Sequence, residues 1–382
     1  MTVRWGVAGP GPVADKVMRD LAHVPDAVLT AVGSRSAERA AAFATAHAAQ
    51  AAHAGNAASA GTAARAAHAP HARNAASAGT AAHGTHAGTA GNAAHAGNGR
   101  VPTAHGSYRA LLGDPDVDVI YVATPHPYHR ALALAALAAG KAILVEKSFT
   151  VTPAATREIV AAARAAGRFA MEAMWTRFCP AVIRLRELVA DGAIGEVCTV
   201  AADLGPRHPV DPATQTFHPE RGDGLLFHLG VYPVSFAQML LGAPEAVIAH
   251  GVVHESGADV EESVLLRYPG GRSALLFASL RSPAPGEARV LGTTGWIQVP
   301  PRFHYPSRIV LHRNGHDPEI IDVPLTGAGY THELAEVTRR VAGGHTESEI
   351  MPLADTVAVQ DVLSEIAGQL GIRVIEGPAE LP

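Results

Sequence analysis

Cysteine is nearly absent: Cys179 and Cys198 are the only two in 382 residues. That is too few for a disulfide framework and fits a reduced, cytoplasmic setting. An excess of charge of either sign is missing as well. The 30 Lys and Arg stand against 35 Asp and Glu, a net charge of −5. This balance provides no basic stripe, and so no general attraction to nucleic acid or to an anionic membrane. Long apolar runs are lacking too. The longest, residues 131–145, is interrupted by Gly140 and Lys141 and reads as helix, turn and strand; it is too short to span a bilayer. The start, Met1 to Ala8, enters a strand directly and has no signal-peptide layout. What is present is a 48% hydrophobic content over a length that suggests two domains.

Up to Lys147, short β-branched runs alternate with alanine-rich helical stretches. Strands are expected over Val3–Ala8, Val28–Val32, Val117–Val122 and Ala142–Val145, and helices near Val13–Leu21, Ala37–His47 and His129–Ala139. Nearly continuous apolar strands separated by helices describe a doubly wound parallel sheet covered on both faces. Residues 1–147 are therefore read as a Rossmann domain and 148–382 as a second α/β domain. In the latter, a helix from Pro153 to Gly167 with Thr152 as N-cap and another over Pro180–Asp191 precede a strand-rich stretch. Strands over Val197–Leu204, Val247–Val253, Val260–Arg267 and Ser273–Leu280 predict a large, open, mainly antiparallel sheet, closed by helices at Thr331–Ala342 and Leu353–Leu370.

Residues 48–99 break this pattern. They are almost entirely Ala, Gly, His, Asn, Thr and Ser, and Asn56-Ala-Ala-Ser-Ala-Gly-Thr-Ala-Ala recurs from Asn74. With no large apolar side chain to offset a backbone ordering cost of about 1–2 kcal/mol per residue, the segment is expected to be a disordered excursion. Its histidines, His53, His68, His71, His83, His86 and His95, have no carboxylates nearby and lie among helix-weakening glycines, so no metal is expected there.

The first strand leads into Gly9-Pro10-Gly11-Pro12-Val13-Ala14. This is the G-x-G-x-x-A fingerprint of a dinucleotide site: one glycine for the tight turn, one for close approach to a pyrophosphate, and a small residue for helix–strand packing. The helix that follows aims its amides and positive dipole end at the phosphates. The second strand ends in Gly33-Ser34-Arg35-Ser36, with Arg39 a turn later and no carboxylate until Glu38. A hydroxyl and guanidinium groups suit a 2′-phosphate, so NADP(H) is the expected cofactor; read alone, Arg35 and Arg39 also fit ordinary solvated charges.

Beyond the later strands lie Ala123-Thr124-Pro125-His126-Pro127-Tyr128-His129 and Val145-Glu146-Lys147-Ser148. Ligands of open α/β sheets sit beyond the carboxyl ends of the strands, so Thr124, Pro125, His126, His129, Glu146 and Lys147 are expected at the cofactor cleft. A lysine ending a buried apolar strand is unusual and points to function. His126 would border the nicotinamide, while His129 would cap the next helix.

These segments, with Met171-Glu-Ala-Met-Trp-Thr-Arg-Phe178 and the stretch from Gly222 to Phe236, resemble the glucose–fructose oxidoreductase, inositol dehydrogenase and rhizopine-catabolism (Gfo/Idh/MocA) family. Within it, the similarity is to the dimeric dihydrodiol dehydrogenase and NADP-dependent D-xylose dehydrogenase branch, over nearly all of the chain except residues 48–99. The resemblance implies an oxidoreductase that moves a hydride to or from a carbinol carbon of a sugar, cyclitol or vicinal diol, with Lys147 and Tyr232 beside the nicotinamide. An ammonium close to the phenol would lower its pKa and prepare it for acid–base work, and would also stabilise charge on the reacting oxygen. Without the resemblance, Tyr232 reads equally as a core aromatic. Trp175, Arg177 and Phe178 are candidates to line the substrate pocket or to pack at the domain junction, and Arg207, His208 and His218 are weaker pocket candidates.

Two positions depart from the family pattern. Ser148 replaces the usual proline after the Glu-Lys pair, which predicts a less rigidly held lysine. His228 stands where an aspartate is usual, four residues before Tyr232, a spacing that puts both on one helix face and allows the imidazole to orient substrate or act as base. These changes keep open a catalytically weak NADP-binding sensor on the same fold, and a related enzyme acting on another C–O or C=N bond. The open sheet of the second domain would leave a face for homodimer formation.

Overall fold

The computed structural model describes residues 1–48, 101–206 and 224–381. All but the first residue of the low-complexity insert lies outside the described residues, with its repeat and its six histidines, and so do Arg207, His208, His218 and Gly222.

The chain builds two sheets. In the first, β1 (Val3–Ala8), β2 (Ala27–Gly33), β3 (Thr103–His105), β4 (Val119–Val122), β5 (Ala142–Glu146) and β6 (Ala170–Ala173) run parallel in the order β3-β2-β1-β4-β5-β6. Its helices are α1 (Pro12–Leu21), α2 (37–48), α3 (Tyr108–Leu112), α4 (His129–Ala138) and α5 (Pro153–Ala166). The strand order reverses between β1 and β4, and the crevice at that switch point is where open α/β sheets bind ligands. Every residue of β4 and β5 is buried, as their unbroken apolar sequences require. Thr152 caps α5 by accepting the Ala155 amide, and Gly167 ends that helix in the left-handed region at φ 59°.

The first sheet continues past Lys147, since β6 is its edge strand. Four residues of Ala, Met and Glu carry little strand propensity, which is why the sequence reading passes over this strand. The short β3 and α3 also went unread, because the insert hides the βα alternation just before them.

The second sheet has eight strands: β7 (Val197–Leu204), β8 (Ala246–Val253), β9 (Asp259–Arg267), β10 (Ser273–Ser279), β11 (Ala288–Gly292), β12 (Gly295–Val299), β13 (Arg308–Arg313) and β14 (Glu319–Asp322). Their order is β14-β13-β12-β11-β7-β10-β9-β8. Neighbours are antiparallel except β7 and β10. Helices α6 (Pro180–Ala190), α7 (Val231–Leu241) and α9 (Leu353–Leu370) pack on this sheet, while α8 (Thr331–Ala342) packs on α1 and β1 of the parallel half. A single apolar core runs from Trp5 and Tyr121 in the first sheet through Phe178 and Phe236 to Val299 and Ile309 in the second. Among the described residues no helix is long and apolar enough to cross a membrane.

Candidate active site

At the end of β1, Gly9 has φ 97°, and a side chain there would meet Thr124 and the Ala123 backbone at 2.9–3.0 Å. Only glycine fits that turn. Gly11 is the N-cap of α1, with Pro12 in the first turn, no side-chain cap, and open space where its Cβ would stand. The amides of Val13 and Ala14 thus head a helix whose positive end opens onto an empty cradle, which fits a pyrophosphate. Ser34 is buried and its Oγ accepts the Ser36 amide at 3.2 Å. Arg35 and Arg39 are exposed beside it, and the Arg35 guanidinium lies 5.8 Å from the Tyr128 ring centre. Among the described residues neither arginine is drawn into an ion pair.

Beyond β4 and β5, the chain makes a tied turn at Lys147. His126 sets Nε2 3.1 Å from the Lys147 carbonyl. His129 is fully buried, with Nε2 2.7 Å from the Thr124 carbonyl and Nδ1 3.1 Å from that of Ser148. Burial pushes its pKa down against the pull of those carbonyls. Its side chain clamps two loops together and caps no helix. Pro125 opens the short turn between the two histidines. The buried Glu146 carboxylate accepts the Tyr121 hydroxyl and the Lys147 amide, and burial raises its pKa. The serine after Lys147 does not loosen the turn. Ser148 is fully buried and its hydroxyl donates to the Phe227 carbonyl at 3.0 Å. The Lys147–Ser148 peptide is cis.

Lys147 Nζ donates to the His228 carbonyl at 2.7 Å and stands 5.0 Å from the Tyr232 ring centre. The structure therefore brings Lys147 to Tyr232, with the His228 backbone beside them. Residues 226–230 form one π-helical turn ahead of α7. His228 is exposed as a residue, whereas Tyr232 is buried. The Tyr232 hydroxyl accepts the Trp175 indole N–H at 2.9 Å. Its pKa is raised well above the ordinary phenol value, with burial the main cause. The expected net lowering is not found, because the cost of burying a phenolate is the largest influence on this group.

Trp175, Arg177 and Phe178 lie on a short 3-10 turn, and all three face inward. Trp175 is sandwiched between Tyr305 and Tyr330, with ring centres at 5.2 and 4.1 Å, so neither indole face is left for a substrate. Phe178 is in the core. Arg177 is 1% exposed and donates to Asp355 Oδ2 at 2.5 Å, to Gln238 Oε1 at 2.5 Å and to Ser235 Oγ at 3.1 Å. It is a buried tie between α7 and α9, not a pocket group. The neighbouring Glu172 is 2% exposed, and burial pushes its carboxyl up to about 7, with Arg177 pulling the other way.

A carboxyl raised from 4.5 to about 7 on folding binds its proton more tightly in the native state. Its stabilising contribution is full below pH 4.5 and is lost as pH rises through 7. Glu172→Gln should therefore flatten the decline of Tm across that window by an amount equivalent to about 3 kcal/mol. Thermal melts of both proteins from pH 4 to 8 check this; parallel curves would place the Glu172 titration elsewhere.

The sequence reading missed His304, on the loop between β12 and β13. Its ring centre is 5.1 Å from that of Tyr232 and 6.1 Å from that of Trp175. The signal was available in Phe303-His304-Tyr305, three ring residues flanked by Pro301 and Pro306 in a chain with 5% aromatics.

A strand–glycine turn–helix, a lysine after the fifth strand and a tyrosine brought to it by helix α7 occur here in one order along the chain. A family model described as an oxidoreductase family with NAD-binding Rossmann fold matches residues 3–174, and the GFO/IDH/MocA C-terminal domain model matches residues 182–298. The chain belongs to the Gfo/Idh/MocA oxidoreductase family. Among its relatives in that family is the trans-1,2-dihydrobenzene-1,2-diol dehydrogenase of Mus musculus, 39% identical over 282 residues, covering 71% of this chain and 83% of the relative. The enzyme of the same name from Xenopus laevis is 37% identical over 282 residues, covering 71% and 84%. The fold is shared with a 3-ketoreductase from Actinomadura kijaniata solved with NADP and TDP-benzene, at TM-score 0.73, 22% identity and coverage of 99% and 100%. It is shared also with the aldose-aldose oxidoreductase of Caulobacter crescentus complexed with glycerol, at TM-score 0.75, 21% identity and coverage of 97% and 98%.

Proposed function

We propose that the protein is an NADP-dependent dehydrogenase or reductase acting on a carbinol or carbonyl carbon of a sugar, cyclitol or vicinal diol. The observation that carries this is the meeting of Lys147 and Tyr232 at the carboxyl edge of the parallel sheet, next to the glycine cradle. Names of relatives that act on a dihydrodiol or an aldose support the substrate class. Bound NADP(H) supplies or accepts the hydride at its nicotinamide. The chain's own residues handle the proton. Burial keeps the Tyr232 phenol protonated, so in the reducing direction its O–H donates to the carbonyl oxygen, and in the oxidising direction the oxygen takes that proton back. The Trp175 N–H on the same oxygen stabilises the phenolate formed in between. Lys147, held by the His228 carbonyl, would place its positive charge near the reacting oxygen and stabilise negative charge that develops there.

For the nucleotide, Gly9, Gly11, Val13 and Ala14 would hold the pyrophosphate, while Ser34, Arg35 and Arg39 would receive the 2′-phosphate. Arg35→Ala should weaken NADPH binding about 10–100-fold and leave NADH binding unchanged. Fluorescence titration with both nucleotides checks this, followed by turnover against aldoses, inositols and vicinal diols. Equal effects on the two nucleotides would remove Arg35 from phosphate recognition. Tight NADPH binding with no turnover would favour the sensor reading.

The outer face of the eight-stranded sheet exposes Ile248 and Leu275, each about half accessible, and two copies pairing there would cover them. Light scattering at micromolar concentration should find a dimer; a monomer alone would exclude it. The exposed free thiol of Cys198 suits a reducing, cytoplasmic setting.

A further inference from the structure

We propose that the His304 imidazole is a substrate-contacting residue that hydrogen-bonds the hydroxyl next to the reacting carbon, so that the unit recognised is the vicinal diol, or the α-hydroxy carbonyl it becomes. This rests on the oxidoreductase reading above and gives its three substrate types, sugar, cyclitol and dihydrodiol, their common element.

The geometry places His304 and Lys147 around one phenol. Lys147 Nζ is 5.0 Å from the centre of the Tyr232 ring, and the centre of the His304 ring is 5.1 Å from it. Lys147 and Tyr232 serve one oxygen, and His304 stands beside them, where the oxygen on the neighbouring carbon falls. The imidazole is firmly held. Thr176 Oγ1 donates to the His304 carbonyl at 2.6 Å, Phe303 is fully buried on one side, and Tyr305 stacks on Trp175 on the other. For all this support, His304 Nδ1 is shielded from solvent with no hydrogen-bond partner among the described residues. Buried polar atoms are nearly always satisfied, and one left open at the rim of a reacting centre is completed by a ligand. Burial, with Lys147 and Arg302 nearby, holds the imidazole down at about 4, so it is neutral at working pH. A neutral imidazole has one N–H donor and one acceptor nitrogen, the complement of a hydroxyl. An ammonium would only donate and a carboxylate would only accept.

The test compares two substrates that differ by one hydroxyl, trans-cyclohexane-1,2-diol and cyclohexanol, oxidised with NADP+ by wild type, His304→Phe and His304→Gln. Phenylalanine retains the aromatic packing, and glutamine restores a donor and an acceptor. Wild type should prefer the diol by tenfold or more in kcat/KM. His304→Phe should lower kcat/KM for the diol about tenfold, mainly through KM, and leave cyclohexanol unchanged. His304→Gln should recover part of the difference. Equal losses on both alcohols, or an unchanged ratio in His304→Phe, would overturn the assignment while leaving the oxidoreductase reading in place. A wild-type protein that binds NADP+ but oxidises neither alcohol would overturn the vicinal-diol assignment, and turnover on the aldose and inositol panel would then decide the oxidoreductase reading.

Discussion

Tyr232→Phe should lower kcat by about 10²–10⁴-fold with the Kd for NADPH unchanged. The substitution removes one oxygen. The ring stays beneath Lys147 and beside His304, so packing and the cation–π contact persist. What disappears is the proton donor and the acceptor of the Trp175 N–H. An unpartnered indole N–H costs about 1–3 kcal/mol when buried, so a modest fall in Tm should accompany the kinetic loss without explaining it. Single-turnover measurements on NADPH-loaded protein isolate the chemical step. A loss of less than twofold would take Tyr232 out of the reaction, and Lys147 would then be the sole proton-bearing group at the reacting oxygen.

Arg177→Met should have the largest effect on stability, about 3–5 kcal/mol, with little change in KM for whatever protein remains folded. Methionine fills much of the volume but leaves Asp355 and Gln238 without the guanidinium that now satisfies them, and it removes the positive charge facing the buried Glu172. Breaking one partner of a buried ionic cluster is far costlier than replacing the whole cluster by apolar groups. Chemical denaturation read alongside steady-state kinetics separates the two effects. Wild-type stability with a raised KM would return Arg177 to the substrate pocket.

These two residues also mark the limit of what the sequence makes legible. The parallel sheet could be read because its strands are unbroken apolar runs and its helices have plain boundaries, Thr152 and Gly167 among them. Gly9 to Ala14 and Lys147 could be placed because strand ends in such a sheet share one edge. The direction of a side chain on a short turn is another matter. Trp175, Arg177 and Phe178 are adjacent in sequence, yet what each touches is fixed by residues far along the chain: Tyr305, Tyr330, Asp355 and Ser235. No local pattern encodes those partners. The π-turn at 226–230 likewise has no compositional mark. His304 left a signal in the ring-rich Phe303-His304-Tyr305, but its contact with Tyr232 depends on where the loop after β12 is folded.

The continuous core has a thermodynamic consequence. Asp20, near the end of α1, accepts the backbone amides of Ala328, Tyr330 and Thr331 at 2.9–3.2 Å, and so joins the helix that heads the nucleotide cradle to the start of α8. With part of the apolar interior also shared, melting one sheet would expose apolar surface of the other, so the two halves are expected to stabilise one another. A nucleotide that touches only the parallel half therefore lends its binding energy to the whole molecule, by RT ln(1 + [L]/Kd). On the function proposed above, cofactor supply would then influence how long each copy stays folded as well as how fast it works.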